Sequence, residues 1–267
     1  MSIITLSRGS KSGGLALAEL LGKKLPCSNL VSREILVKAS EEYGVTEKEL
    51  TAAMERPPGF WERSAGNPRR LYLAFIRAAL LDFASKGCVV FHGHAGHFLL
   101  SDVPWVLKVR LIAPMEQRIA VLQQTTNMDR YEAEQYINKV DEDRKRWIRF
   151  LYNVDWNDPA HFDVVVNLRT MSLETASDLI CALVASSEFA RTPERESDLR
   201  DKALAARVYA EIEKNPKTRG NEIEVSAEGE TISLRGKIAS EAIQSSIIEA
   251  ARAVSGVQQV NDHLSSY

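Results

Sequence analysis

Cysteine is scarce in this sequence, with three residues in 267, at positions 27, 88 and 181. They lie far apart, show no metal-ligand spacing and have apolar neighbours, so we expect three reduced cysteines in the core. No stretch of about 18 consecutive apolar residues occurs, and no basic region precedes an apolar run at residues 1–6. The sequence therefore predicts no transmembrane segment, and we expect a cytoplasmic protein.

An excess of either charge is also lacking: 34 Lys and Arg face 36 Asp and Glu, which gives a formal net charge of -2. Such a balance provides no overall attraction to nucleic acid or to an anionic membrane. Any such contact would have to come from a local patch, so the net charge leaves the partner open. We expect no nucleic-acid partner. The hydrophobic share of 45% is ordinary for a globular chain of this length.

A polar segment divides the chain. Residues 185–197 lose apolar periodicity and contain one proline, as a domain linker should. We place one domain at 1–190 and another at 197–267. In the first domain, short apolar runs alternate with longer helical patterns, which is typical of a parallel α/β sheet. The runs are residues 3–6, 88–91, 106–112 and 164–167, and the helical patterns are residues 15–25, 72–85, 115–124 and 173–184.

The second domain has its own pattern. A helical face formed by Leu204, Val208 and Ile212 is followed by two strands of alternating apolar residues. Ser240 caps a further helix, after which residues 257–264 return as a strand. This order, αββαβ, predicts a small α+β fold.

The first apolar run leads into a loop rich in glycine and serine, immediately before a helix. Backbone N–H groups and a helix N-terminus could cradle a phosphate there. A complete Walker motif would place Lys and then Ser or Thr after Gly13, whereas Gly14 and Leu15 follow. Taken alone, the loop is equally compatible with a tight connection that binds nothing. The phosphate-loop candidates are Ser7, Arg8, Gly9, Ser10, Lys11, Ser12, Gly13 and Gly14.

Five segments, in order, resemble the cytidylate kinase-like branch of the P-loop nucleoside monophosphate kinases: residues 6–8, 11–14, 32–36, 93–96 and 154–159. The resemblance spans nearly all of residues 1 to 185. It implies a P-loop kinase-like parallel sheet flanked by helices, with a helical lid. It also implies ATP and Mg²⁺ as cofactors and transfer of the ATP γ-phosphate to a nucleoside monophosphate such as CMP.

Several residues depart from the pattern of that branch. The absence of the Walker lysine is common in it, but Lys11 occupies the first glycine of the loop and Leu15 stands where a polar or basic residue is usual. Ser32 replaces an acid, and His94 replaces an arginine. A second hypothesis is therefore a catalytically degenerate fold that senses a nucleotide, and a third is a scaffold that binds none.

The resemblance assigns the lid to a charged segment at residues 141–149. Arg144, Arg146 and Arg149 would close over the donor phosphates, and Lys11 could replace the missing lysine. Without the resemblance, the segment would indicate a solvated helix face, and Lys11 a solvated lysine on a turn. We treat these four residues as the catalytic candidates.

The acceptor nucleotide would be held by Arg33, Arg63, Gly93 and His94. Arg33 could grip the acceptor phosphate bidentately, or it could be a surface residue at a helix start. The resemblance places an acceptor-binding arm at residues 57–63 and 67–70. Arg63 lies on this arm, where Phe60 or Trp61 could stack on the base or simply anchor a loop.

Gly93 and His94 follow a strand, at the end where open α/β sheets bind ligands. His92 and His97 lie close to them, but no carboxylate or cysteine accompanies these histidines, so we expect no metal site. In the string Asp155, Trp156 and Asp158, we expect a structural role.

Residues 197–266 resemble a BON domain, on the segments 234–238 and 255–264. Such domains contact membranes, small ligands or proteins, and they carry no catalytic set. The resemblance therefore implies peripheral membrane or protein contact through the second domain, beside a small nucleotide ligand in the first. We expect Gly236 to have a backbone role and Gly256 to end a helix.

Overall fold

The computed structural model describes residues 2–25, 29–31, 33–55, 68–93 and 96–266. They form two compact units. The first unit holds the described residues within Met1–Ser32, Met54–Pro58 and Gly87–Ala190, and the second holds those within Arg33–Ala53, Gly59–Lys86 and Arg191–Tyr267.

The first unit is built on a parallel sheet. Its strands are β1 (Ile3–Arg8), β2 (Asn29–Val31), β3 (Val89–His92), β4 (Leu107–Ile112) and β5 (Val164–Asn167). Their order is β2-β3-β1-β4-β5, and every pairing is parallel. The helices are α1 (Gly14–Lys24), α5 (Gly96–Leu99), α6 (Met115–Gln123), α7 (Arg130–Tyr152) and α8 (Leu173–Val184), and Pro159–His161 forms a short 3-10 helix.

The core of this unit explains the apolar runs. Ile4 and Leu6 of β1 are fully buried against Leu17 and Leu21 of α1, and α8 packs beside α1. Parallel strands are covered on both faces, so they appear in sequence as continuous apolar runs. The predicted parallel α/β sheet flanked by helices is confirmed.

One prediction for this unit is wrong. Cys88 takes part in a disulfide, so the three cysteines are not all reduced, while Cys181 is a free cysteine. Cys27 lies outside the described residues. Separation along the chain says little about separation in space, because residues far apart in sequence meet in a parallel sheet.

The second unit contains the predicted αββαβ fold. Its elements are α9 (Pro193–Lys214), β6 (Ile223–Glu228), β7 (Thr231–Ile238), α10 (Glu241–Arg252) and β8 (Gln259–Ser266). The strands lie in the order β6-β7-β8, with β6 antiparallel and β8 parallel to β7. Helix α9 begins inside the predicted linker, because the Thr192 side chain accepts from the Arg195 N–H and Pro193 starts the first turn.

Three more helices belong to the second unit: α2 (Arg33–Tyr43), most of α3 (Glu47–Glu55) and α4 (Pro68–Lys86). Helix α4 packs against both α2 and α9. Tyr43 stacks on Phe75 with ring centroids 4.2 Å apart, and Arg191 donates to the carbonyl oxygens of Ala84 and Ser85 at 3.2 and 3.3 Å. The carboxyl-terminal fold is thus joined to three helices that precede β3 in sequence.

No helix within the described ranges is long and apolar enough to span a bilayer.

Gly236 provides a test of the packing of β7. It has φ 149°, and a Cβ there would lie 2.5 Å from the carbonyl oxygen of Glu222. We expect Gly236→Ala to lower the free energy of unfolding in urea by about 2 kcal/mol. The matched control is Gly229→Asn, because Gly229 has φ 58° and a Cβ added there would meet no atom within 4 Å outside its chain neighbours. Asparagine tolerates that conformation. Equal losses in the two variants would contradict this account.

Candidate functional site

The loop between β1 and α1 turns through two left-handed residues. Lys11 has φ 60° and Gly13 has φ 82°. Gly13 is the N-cap residue of α1, and no side chain there hydrogen-bonds to the first N–H groups of the helix. Such a turn at an uncapped helix start directs backbone N–H groups outward and forms a concavity for an anion. The backbone of Lys11 is in the region that favours glycine, which agrees with the glycine that the resemblance places there.

Ser12 adds a buried hydroxyl to this loop. The residue is 3% exposed, and within the part of the chain that the structure describes, its Oγ has no hydrogen-bond partner. Buried hydroxyls normally have one. Ser12 lines the clefts on both sides of the loop, so its Oγ is placed to donate to a bound anion.

Two clefts adjoin the loop. The first has a volume of about 640 Å³ and is lined by loop residues together with Leu15, Tyr136 and Arg144. The second has a volume of about 450 Å³, and its basic residues are Arg110, Arg118 and Lys145. Arginine and lysine side chains therefore surround the loop from β4, α6 and α7.

Asp141 of α7 binds the loop directly. Its Oδ1 accepts from the backbone N–H of Ser10 at 2.8 Å, and its other oxygen forms a short ion pair with Arg118. Arg118 Nε also donates to the Ser10 carbonyl oxygen at 2.7 Å, and Arg144 lies 3.6 Å from Asp141. One carboxylate of α7 thus connects this helix with α6 and with the loop between β1 and α1.

Arg110 is a buried cation behind the loop that sequence reasoning missed. It is 7% exposed and donates to Ser7 Oγ at 3.3 Å and to Asn157 Oδ1 at 2.7 Å. Its guanidinium carbon lies 4.1 Å from the centroid of the Trp156 ring. Burial lowers the pKa of Arg110 to about 10. The available signal was a charged residue inside the run 106–112, where Lys108 and Arg110 stand among five apolar residues.

The three arginines predicted for the lid differ in their surroundings. The Arg144 side chain is 12% exposed and lines the first cleft. Arg146 is 65% exposed and pairs with Asp143, and Arg149 is also exposed. Of the three arginines, the structure brings Arg144 to the loop.

The predicted acceptor residues are only partly described. Arg33 begins α2, with its side chain 81% exposed and its Nε 3.3 Å from a carboxylate oxygen of Glu47. Gly93 follows β3, and a Cβ there would lie 2.6 Å from the Phe91 ring. The remaining expectations, on Ser32, Phe60, Trp61, Arg63 and His94, fall outside the described residues.

His97 lies in an apolar environment. It is 3% exposed, its ring centroid is 4.7 Å from that of Phe162, and neither ring nitrogen has a hydrogen-bond partner among the described residues. Burial, with smaller contributions from Arg110, His161 and Lys108, lowers the pKa of His97 to about 3. Across the described ranges, no group of three or more His, Cys, Asp or Glu side chains is placed to hold a metal ion.

The string around Trp156 makes internal contacts. Trp156 is 2% exposed, and its Nε1 donates to Ser7 Oγ at 3.1 Å. Asp155 accepts from the Asn157 N–H at 3.0 Å, and Asp158 accepts from the Ala160 N–H at 2.9 Å. The segment is therefore held in turns by its own aspartates and contacts the end of β1 through Trp156.

A five-stranded parallel sheet with a glycine-rich loop between β1 and α1 is the architecture of the P-loop kinases. The chain belongs to the cytidylate kinase-like family, whose model matches residues 3–170. The BON domain model matches residues 200–266.

Several solved structures are similar to part of this chain. A crystal structure of an uncharacterized protein from Eubacterium ventriosum is 19% identical, with a TM-score of 0.54, over 70% of this chain and 99% of that one. Shikimate kinase from Bacteroides thetaiotaomicron is 13% identical, with a TM-score of 0.42, over 69% and 99% of the two chains. Thymidylate kinase from Candida albicans is 15% identical, with a TM-score of 0.40, over 68% and 90%. No curated protein matches the chain.

Asp141→Asn tests whether this carboxylate organises the site. The change leaves Arg118, whose side chain is 11% exposed, without its counter-charge, so we expect a loss of about 2 kcal/mol in the free energy of unfolding. Asp143→Asn is the control, because its partner Arg146 is exposed, and its loss should stay below about 0.5 kcal/mol. Losses of the same size, measured by urea denaturation, would refute the distinction.

His97 predicts a pH dependence of stability. His97 takes up a proton near pH 6.5 in the unfolded chain, but only near pH 3 in the folded protein. Stability should therefore fall as the pH drops from 6.5 towards 3, by about 2 kcal/mol between pH 7 and pH 5. The His97→Phe variant should lack this component in urea denaturation at the two pH values. An unchanged pH dependence in the variant would contradict the assignment.

Proposed function

We propose that the chain transfers the γ-phosphate of ATP to a nucleoside monophosphate such as CMP. The observation that carries the proposal is the loop between β1 and α1, where a buried hydroxyl without a partner in the described chain lies between two clefts lined by arginines. Phosphoryl transfer depends mainly on positioning and on positive charge around the transferring group. Membership of the cytidylate kinase-like family supports the same chemistry.

In this proposal, Arg144 and Lys11 bind the donor phosphates from the first cleft, which both residues line. Arg146 and Arg149 approach from α7 as the lid closes. The acceptor nucleotide is held by Arg33, Arg63, Gly93 and His94. The exposed guanidinium of Arg33 is free to reorient, because its ion pair with Glu47 is on the surface.

The fit to Mg²⁺ rests on carboxylates. Leu15, 54% exposed, stands where a hydroxyl ligand would be, whereas Glu19 and Asp143 line the first cleft. Magnesium is commonly held by one or two carboxylates together with substrate phosphates and water. These two residues would hold the ion, which would neutralise charge on the phosphates.

The proposal assigns this activity to a domain at residues 1–190 and a contact function to a BON-like domain at 197–267, and it places the chain in the cytoplasm. The family matches at 3–170 and 200–266 support this division.

A specific observation favours a second function, a nucleotide-binding sensor without turnover. Asp141 already accepts a hydrogen bond from the Ser10 N–H, and Leu15 supplies no oxygen to a metal ion. The packing of α4 against α9 offers a physical connection between helices that precede β3 and a BON-like domain that contacts a membrane, small ligand or protein.

One experiment separates the two functions. The purified full chain with MgATP is tested against common nucleoside monophosphates for ADP release, beside a thermal-shift screen of the same nucleotides. The kinase proposal predicts turnover that Arg144→Ala lowers by about 100-fold, while Arg252→Ala, a change on the exposed face of α10, leaves it intact. A thermal shift without turnover would support the sensor. The absence of both turnover and a thermal shift would refute both functions.

A further inference from the structure

Gly14 occupies the position of the Walker lysine, and the Arg8 side chain fills the space that a side chain at position 14 would need. A Cβ at Gly14 would lie 1.9 Å from Cδ and 2.5 Å from Nε of Arg8. Cβ atoms in proteins essentially never approach another heavy atom closer than 3.0 Å. The Arg8 side chain and any side chain at position 14 therefore compete for one space.

The direction of Arg8 follows from strand geometry. Side chains two residues apart leave a strand on the same face, so Arg8 shares a face of β1 with Ile4 and Leu6. Those two residues pack against Leu17 and Leu21 of α1. The Arg8 side chain is consequently directed towards the first residue of α1, which is Gly14.

The same cleft contains groups suited to a phosphate. Arg8 lines it together with Ser12, whose buried Oγ has no partner in the described chain, and with the left-handed turn at Gly13. A guanidinium stays charged at any physiological pH and can bind two phosphate oxygens at once. These donors suit a polyphosphate chain.

We propose that Arg8 supplies the phosphate-binding cation that lysine supplies in a complete Walker motif, and that Gly14 accommodates it. The inference rests on the proposed nucleotide-binding function and identifies the residue that grips the di- or triphosphate of the nucleotide. In this proposal, the arginine at position 8 takes over the role of the lysine that is missing at position 14. Lys11 is a separate cation on the rim of the loop.

Single and double substitutions at positions 8 and 14 test this pairing in the full chain. The quantity measured is the dissociation constant for MgADP, by titration calorimetry. Arg8→Ala and Arg8→Gln should each weaken binding by about tenfold or more. Gly14→Lys alone should also weaken binding and should lower Tm, because the new side chain displaces Arg8. The double variant Arg8→Ala with Gly14→Lys should recover affinity to within about threefold of the wild type.

Lys23→Ala serves as the charge-matched control, because Lys23 is exposed near the end of α1, and it should bind as the wild type does. The Tm measured without ligand identifies any variant that fails to fold. The Arg8→Gln variant preserves more of the side-chain volume at position 8 than Arg8→Ala does. Wild-type affinity in Arg8→Gln, or a double variant no better than Gly14→Lys, would overturn the inference. A wild type that binds no nucleotide would instead overturn the proposed function.

Discussion

At the turn from β1 into α1, the Arg8 side chain occupies the space that a side chain at position 14 would need. Burial of Ile4 and Leu6 against α1 fixes the face on which Arg8 emerges. Gly14 then leaves room for the Arg8 side chain at the start of α1. The lack of a lysine is therefore a property of the packing, and it does not by itself indicate that the loop has lost phosphate binding.

The charges around the loop follow from this arrangement. Arg110, Arg118 and Arg144 approach from three different elements, and Asp141 links two of them to the loop through the Ser10 N–H. Cations in a half-buried site attract an anion more strongly than they would in water. A phosphate that binds the loop would compete with Asp141 for the Ser10 N–H, so nucleotide binding and the position of α7 should be coupled.

Much of the fold could be predicted from the sequence, because buried parallel strands appear as apolar runs separated by helical periodicity. The three-residue strand β2 is too short to leave such a signal. The loop was found through its glycines. The roles of Arg110 and Asp141 were not, because they arise from contacts between residues 103 and 131 positions apart. The grouping of α4 with α9 likewise depends on tertiary packing that no local pattern encodes.

In the proposed function, the loop between β1 and α1 binds phosphate through its backbone and through Arg8. The most direct measurement is a titration of glycine-labelled protein with MgADP, monitored by NMR through the amide resonances of its 14 glycines. The account predicts that Gly13 and Gly14 show the largest shifts, because their N–H groups face the anion. Nucleotide binding that leaves these two resonances unchanged would contradict it.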